Sequence, residues 1–382
     1  MRVALTSVHS WPDVRRGGER YVHELAAALA RAGHDVCLLS TGSRPGRSRE
    51  SGVDVRRLPV RRAPGRFFPP PWEDLAVEAA FGGQAATRLL PAALAARVDV
   101  WHATSTADGA AAALAGVLRP GLASVFTDHG FPARPSRDGR PDRRLHRQVA
   151  GHIGAYVCVS RAAAAYLERD FHRTADVVPP GVRFAEHRPA DRRHPHPALL
   201  YAGSLTEPRK GLPLLLAATA LLRADHGDVE LWLLGQGDAA AALAAAPADA
   251  RAAVTRCGPA SDEQLRDAYG RAWATVLPST AESFGMTVVE SWACGTPAVV
   301  RADSGGPAEL VDDDAVGRRA AADPADLARA CAEAFELAGR RGTADACRTK
   351  ARAYDWDTAV VPALLDVYAR AADRQRRHGS RT

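Results

Sequence analysis

Two glutamates eight residues apart, Glu282 and Glu290, lie in residues 278–297, PSTAESFGMTVVESWACGTP. The first precedes an expected helix start, and the second falls about two turns into that helix. Between them, Ser283, Phe284, Gly285 and Met286 place unpaired backbone amides at the helix N-terminus, a setting that favours an anion or a hydroxyl-rich ligand. Val288, Val289 and Trp292 make the helix apolar, so Glu290 is expected to be buried and to need partners. Sugar or ribose hydroxyls would supply them. The alternative, two solvated glutamates on an ordinary surface helix, fits those apolar neighbours poorly.

Further upstream, Glu207-Pro208-Arg209-Lys210-Gly211 follows an apolar strand-like run. Adjacent cations at a strand-to-helix connection can neutralise a diphosphate. Lysine acts as a compact point charge and arginine as a planar fork. A solvated helix start is the competing reading. Near the N-terminus, Gly17-Gly18 separates a strand-like run from a helix, so the backbone there can approach a ligand and offer free amides to an anion. Glycines are also common in such connections for purely structural reasons.

The elements that must hold these residues alternate. Short Val- and Leu-rich runs are expected as strands at 2–8, 53–60, 98–103, 124–127, 155–159 and 176–178. A second series falls at 198–202, 229–234, 253–257, 274–277 and 297–300. Ala-rich helices lie between, at 19–32, 161–169, 212–223, 262–269 and 324–337, and an amphipathic helix at 358–372 precedes a basic tail expected to fray. Strands without polar alternation, separated by helices, indicate parallel sheets covered on both faces. Residues 179–197, with five prolines and four arginines, read as an interdomain linker. Two consecutive doubly wound domains imply ligands at the carboxyl ends of the strands, in a cleft between the domains.

Composition narrows the classes. Of 50 basic residues in 382 only Lys210 and Lys350 are lysine, a usage that reflects a GC-rich genome. Residues 1–190 hold 27 arginines against 18 acids, and the remainder 23 basic residues against 26 acids. The first half is therefore suited to an anionic partner. Six scattered cysteines without C-x-x-C spacing point to a reduced, cytoplasmic setting and to no metal site. Asp312-Asp313-Asp314 reads as a turn. Nucleic-acid binding is disfavoured, because the arginines accompany no recognition module. No run suits a transmembrane helix or a signal peptide.

Taken together, E-S-F-G-M-x-x-x-E, A-C-G-T-P, Gly305-Gly306-Pro307-Ala308-Glu309, the E-P-R-K-G segment, the N-terminal glycine pair and Asp355-Trp356 resemble family-4 retaining glycosyltransferases of the GT-B fold. The resemblance spans nearly the whole chain. It implies two Rossmann-like domains, 1–182 and 183–357, facing a central cleft, with residues 358–382 packing back on the first. Glu282 would touch the transferred sugar, and Glu290 the ribose. Ser283 and the amides of Phe284, Gly285 and Met286 would face the sugar and diphosphate. Lys210 and Arg209 would neutralise the diphosphate, which Gly17 and Gly18 approach from the other domain. His129 matches a position near the reacting sugar, although a strand-end histidine can also be structural. His102, after another strand, would help bind acceptor. One position departs: the family often has an arginine where this chain has Ser204.

The implied reaction is sugar transfer from a UDP- or GDP-sugar with retention of configuration and no metal or other cofactor, to a soluble small-molecule acceptor, such as one of secondary metabolism. A phospholipid acceptor reached by peripheral membrane contact is the alternative, suggested by Arg56, Arg57, Arg61, Arg62 and Arg66 beside Phe67, Phe68 and Trp72. A nucleotide-sugar epimerase or hydrolase on the same fold is a rival reading, and Ser204 also permits a silent sugar-nucleotide-binding subunit. Donor base, donor sugar and oligomeric state are not legible.

Overall fold

The computed structural model describes residues 1–14, 16–41, 44–59, 72–95, 97–129 and 141–379. The chain divides into two compact units, Met1–Gly181 with Trp356–Thr382, and Val182–Asp355.

In the first unit, β1 (Arg2–His9) leads to α1 (Gly17–Arg31), β2 (Asp35–Thr41), β3 (Gly46–Glu50), β4 (Val53–Leu58) and α2 (Trp72–Leu94). There follow β5 (Val100–Ala103), α3 (Thr106–Leu118), β6 (Ala123–Asp128), α4 (Pro141–His152), β7 (Ala155–Cys158), α5 (Arg161–Phe171) and β8 (Asp176–Val177). Among the described residues these strands form one sheet in the order β3-β4-β2-β1-β5-β6-β7-β8, parallel except between β3 and β4. Successive residues of β1 enter different cores. Val3 and Leu5 pack with α1, and Ala4 packs with Trp101, Phe126 and the α2–α3 side. Burial of both faces explains why these strands lack polar alternation.

In the second unit, β9 (Ala198–Ala202), α6 (Leu212–His226), β10 (Glu230–Leu234), α7 (Ala240–Ala244), α8 (Ala248–Ala253), β11 (Val254–Gly258), α9 (Asp262–Arg271) and β12 (Ala274–Leu277) come first. Then follow α10 (Met286–Ala293), β13 (Ala298–Arg301), α11 (Gly306–Leu310), β14 (Gly317–Ala320), α12 (Pro324–Gly339) and α13 (Thr343–Arg352). Their parallel sheet has the order β11-β10-β9-β12-β13-β14.

The boundary between the units falls inside the stretch expected as a linker, at Gly181 and Val182, but from Val182 onward that stretch is packed structure. His187 is buried. Arg193 donates from Nη1 to the Ala272 carbonyl at 2.6 Å and to Thr296 Oγ1 at 2.9 Å, and from Nη2 to the Gly295 carbonyl at 2.9 Å. Its composition resembles a linker because carbonyls, rather than apolar contacts, fix it.

The chain re-enters the first unit through a π-helical turn, Trp356–Val360, and then α14 (Val361–Gly379). Leu364, Val367, Tyr368 and Ala371 form the helical stripe that faces the core. The basic tail expected to fray is helical to Gly379, because it is tied down. Gln375 Nε2 donates to Ser124 Oγ at 2.6 Å, and Arg370 pairs with Asp176 at 2.9 Å. No helix among the described residues is long and apolar enough to cross a membrane.

Candidate active site

The strand order of the second sheet reverses between β9 and β12, and in open parallel sheets the carboxyl ends at such a reversal border a crevice. The loops that leave β9 and β12 there carry the residues singled out by the sequence. The loops are pinned together, with Thr280 N donating to the Arg209 carbonyl at 2.8 Å. Arg209 and Lys210 sit on the 3₁₀ turn Pro208–Lys210. Both converge on one carboxylate. Lys210 Nζ lies 2.7 Å and Arg209 Nη1 3.0 Å from Glu282 Oε2. Arg209 Nε also pairs with Glu207. Burial works against the Arg209 charge, yet Glu282 and Glu207 hold its pKa above the ordinary arginine value.

Glu282 is held by an over-determined loop. Ala281 before it adopts φ 50°, unusual for a residue with a side chain. Glu282 N donates to the Ser304 carbonyl at 2.8 Å, and Gly306 N to the Glu282 carbonyl at 2.9 Å. A Cβ on Gly306 would stand 2.3 Å from the Ser283 carbonyl oxygen, so only glycine permits this approach. Such strain persists where surroundings enforce it, commonly at functional sites.

Helix α10 then starts on Gly285, at φ 104°, with no side-chain cap. Helix α6 starts uncapped on Gly211, and α1 on Arg16. Helices α5, α9 and α12 are capped by Ser160, Ser261 and Asp323, whereas α7, α8 and α13 lack a side-chain cap, as α10 does. The first amides of α10 and α1 are therefore left for a ligand or solvent. Phe284 is buried against Tyr354, with ring centroids 5.6 Å apart. Glu290 is 2% exposed, and its Oε2 accepts from the Tyr269 hydroxyl at 2.8 Å. A protein hydroxyl thus supplies part of what the sequence reading assigned to a ribose. Ser279 and Thr287, not singled out by the sequence, have hydroxyl oxygens buried without a hydrogen-bond partner among the described residues. Their signal was the presence of hydroxyls flanking the Glu282 loop.

In the first unit, Gly17 and Gly18 open α1. A Cβ at Gly17 would meet nothing within 4 Å, and one at Gly18 only the His129 ring, at 3.9 Å. Packing therefore demands neither glycine. His129 follows β6, with its Nε2 buried and without a partner among the described residues. Burial lowers its pKa to about 4, against the pull of neighbouring Asp128. Asp128 accepts from the Tyr156 hydroxyl at 2.7 Å, and Tyr156 also bonds His146 Nε2 at 2.6 Å, tying the end of β6 to β7 and α4.

His102 is a correction. It is fully buried, and its two ring nitrogens bond the Tyr368 hydroxyl at 2.8 Å and Thr127 Oγ1 at 2.6 Å. Burial lowers its pKa to about 3. It fastens α14 to the sheet and offers no surface to an acceptor.

The structure thus brings Arg209, Lys210, Glu282 and the start of α10 together in the second unit, and Gly18 and His129 together in the first. Ser204 Oγ accepts from Glu207 N at 3.2 Å, so the position of the missing arginine shapes the cation loop. Arg56 and Arg57, read as a basic surface, pair instead with Asp54 and Glu50, each at 2.8 Å. Arg61, Arg62, Arg66, Phe67 and Phe68 lie outside the described residues, as does the Trp72 side chain. Asp313 Oδ1 accepts from Ala315 N at 2.8 Å, and Asp312 pairs with Lys350.

Residues 15–186 match the model described as Glycosyltransferase Family 4, and residues 196–336 that described as Glycosyl transferases group 1. A D-inositol 3-phosphate glycosyltransferase of Xylanimonas cellulosilytica is 30% identical over 420 residues, covering 98% of each chain. A phosphatidyl-myo-inositol mannosyltransferase of Propionibacterium freudenreichii is 28% identical, covering 96% of this chain and 94% of the relative. In fold, the chain matches a sucrose-phosphate synthase from Thermosynechococcus elongatus over the full length of both, with a TM-score of 0.72 at 21% identity. Two parallel-sheet α/β units with this loop architecture make the chain a GT-B protein and a member of the family-4 glycosyltransferases.

Proposed function

We propose that the protein transfers a sugar from a nucleoside-diphosphate sugar to a small hydroxylated acceptor, with retention of anomeric configuration and without a metal ion. The observation that carries this reading is the convergence of Lys210 and Arg209 on Glu282 beside the uncapped start of α10. Lys210, Arg209 and the amides of Phe284, Gly285 and Met286 would supply the positive potential that a leaving diphosphate needs. Charge stabilisation of this kind is usually the largest catalytic contribution. Glu282 would exchange its cations for sugar hydroxyls, and Ser279 and Thr287 offer hydroxyls to the donor. Glu290 would share its carboxylate between Tyr269 and the ribose. In the first unit, Gly17 and Gly18 leave room for the diphosphate, and neutral His129 would accept a hydrogen bond or a proton near the reacting carbon. Same-face attack within a short-lived ion pair is the route we favour, with cytoplasmic residence in keeping with the free cysteines.

For the acceptor, we favour a soluble, phosphorylated polyol, supported by the likeness to inositol 3-phosphate glycosyltransferases. A phospholipid acceptor is the second reading, supported by the mannosyltransferase relative. Thermal-shift measurements against UDP, GDP and their sugars identify the donor, because a bound nucleotide raises apparent stability. Transfer assays with inositol phosphate or phosphatidylinositol vesicles then separate the acceptors. Donor turnover that is indifferent to every acceptor would refute transfer and favour an epimerase or hydrolase. Donor binding without any turnover would favour a silent subunit.

A further inference from the structure

We infer that Tyr21 and Trp356 are positioning residues for His129, so that the point where the chain re-enters the first unit fixes the orientation of that imidazole. The inference rests on the proposed role of His129 and adds residues for which sequence and family resemblance gave no such part. The His129 ring meets Tyr21 edge-on, with centroids 4.4 Å apart at 65°. Tyr21, itself buried, leans on Trp356 at 5.5 Å. Trp356 is fully buried, and its indole Nε1 donates to Glu24 Oε2 at 2.9 Å. The other oxygen of Glu24 accepts from Arg20 Nε, also at 2.9 Å. Arg20, Tyr21 and Glu24 all stand on α1, the helix that opens with Gly17-Gly18.

The other side of Trp356 is closed by Gly181, where a Cβ would come within 2.3 Å of the indole ring. Gly181 is the last residue of the first segment of its unit, and Trp356 is the first residue of the return. One indole therefore packs on both crossings of the chain, and one further ring separates it from His129. The π-helical turn at Trp356–Val360 makes that re-entry irregular, as such turns often do at functional positions.

A histidine needs this support here. Its Nε2 has no partner among the described residues, so no hydrogen bond at that atom sets the ring plane; contact with Tyr21 does. The titratable groups facing His129 are Asp128, which favours the imidazolium, and His102 and Tyr21, with Thr127 between them. Burial outweighs Asp128 and keeps the imidazole neutral. Removing the Tyr21 ring lets water reach it, and its pKa should climb back toward about 6.5.

The test is an NMR titration of ¹³C-histidine-labelled full-length protein from pH 5 to 8, with the resonance assigned from His129→Asn. In the wild type His129 stays neutral throughout. In Tyr21→Leu it should titrate near pH 6, with kcat down about tenfold or more and donor KM changed less than about twofold. Trp356→Phe, which keeps most of the packing but loses the Glu24 bond, should shift the titration the same way by a smaller amount. Leu364→Ala, in the same core, should lower Tm and leave the titration alone. An unmoved His129 titration in folded Tyr21→Leu and Trp356→Phe would overturn the inference. A moved titration with kcat intact would support the clamp and count against His129 in transfer.

Discussion

Lys210 and Arg209 share the Glu282 carboxylate, and Arg209 has Glu207 besides, an asymmetry that decides what substitution does at each position. Lys210→Ala removes the charge proposed to meet the leaving diphosphate. Transfer should fall by about 10²–10³, and stabilisation by the nucleoside diphosphate should disappear in thermal-shift assays. Glu282→Gln acts differently, because it frees Lys210 and leaves Arg209 paired with Glu207 alone, while removing the carboxylate proposed to meet the sugar. The bare nucleoside diphosphate should then bind more tightly by roughly tenfold, about 1.4 kcal/mol, in calorimetric titration, even as transfer falls. Equal losses of both would contradict the counter-ion reading. The pairing of Lys210 with Glu282 sits where the sequence drew attention, because lysine is so rare in this chain. Lys350, by contrast, had no sequence rationale. It pairs with Asp312 and lies over the Trp292 ring at 5.4 Å, contacts made across distant segments that no local pattern encodes. His102 misled for a related reason: a histidine near a strand end looks available until Tyr368, from the far end of the chain, covers it.

At the scale of elements, the glycines separate fold from function. Gly306→Ala would drive a methyl into the Ser283 carbonyl and the Phe284 Cα, at 2.3 and 2.6 Å, and should cost about 1–3 kcal/mol in denaturant unfolding. Gly17→Ala meets nothing, so stability should hold or rise by up to about 1 kcal/mol. Its effect should fall on donor KM, and a Gly17→Ala enzyme with wild-type kinetics would argue against close ligand approach there. Most strands were readable as Val- and Leu-rich runs, but β2, β3 and β14 were not foreseen. The apolar part of β2, residues 36–39, follows so closely on α1 that its pairing with β1 and β4 is what defines it. β3 is Gly-Arg-Ser-Arg-Glu, a polar edge strand made by its hairpin with β4 and by ion pairs such as Arg47 with Asp54 at 2.7 Å. Edge strands carry little hydrophobic signal because one side faces solvent.

For the whole molecule, buried titratable groups set the pH dependence of stability. His129 and His102 have pKa values lowered by burial to about 4 and about 3, so the unfolded chain binds their protons first. Their contribution is full above about pH 6.5 and is lost as pH falls toward the folded values. Asp108, buried and hydrogen-bonded to Thr6 and Ser105, has its pKa raised to about 6 and acts in the opposite sense, losing its contribution as pH rises through that value. Two histidines against one aspartate leave a net proton uptake on unfolding near pH 5, so urea unfolding should show lower stability at pH 5 than at pH 7. His102→Gln should flatten that slope; an unchanged slope would remove His102 from the account. The division into two parallel α/β units followed from strand–helix alternation, whereas the packing of residues 182–197 did not, because polar contacts to backbone carbonyls leave no periodicity. The central claim, retaining transfer assisted by Lys210 and Glu282, is tested most directly by real-time NMR of the anomeric protons during turnover of the donor chosen by thermal shift. The account predicts a product with the donor's anomeric configuration and a rate at least about a hundredfold lower in Lys210→Ala. An inverted product, or a Lys210→Ala rate close to wild type, would contradict it.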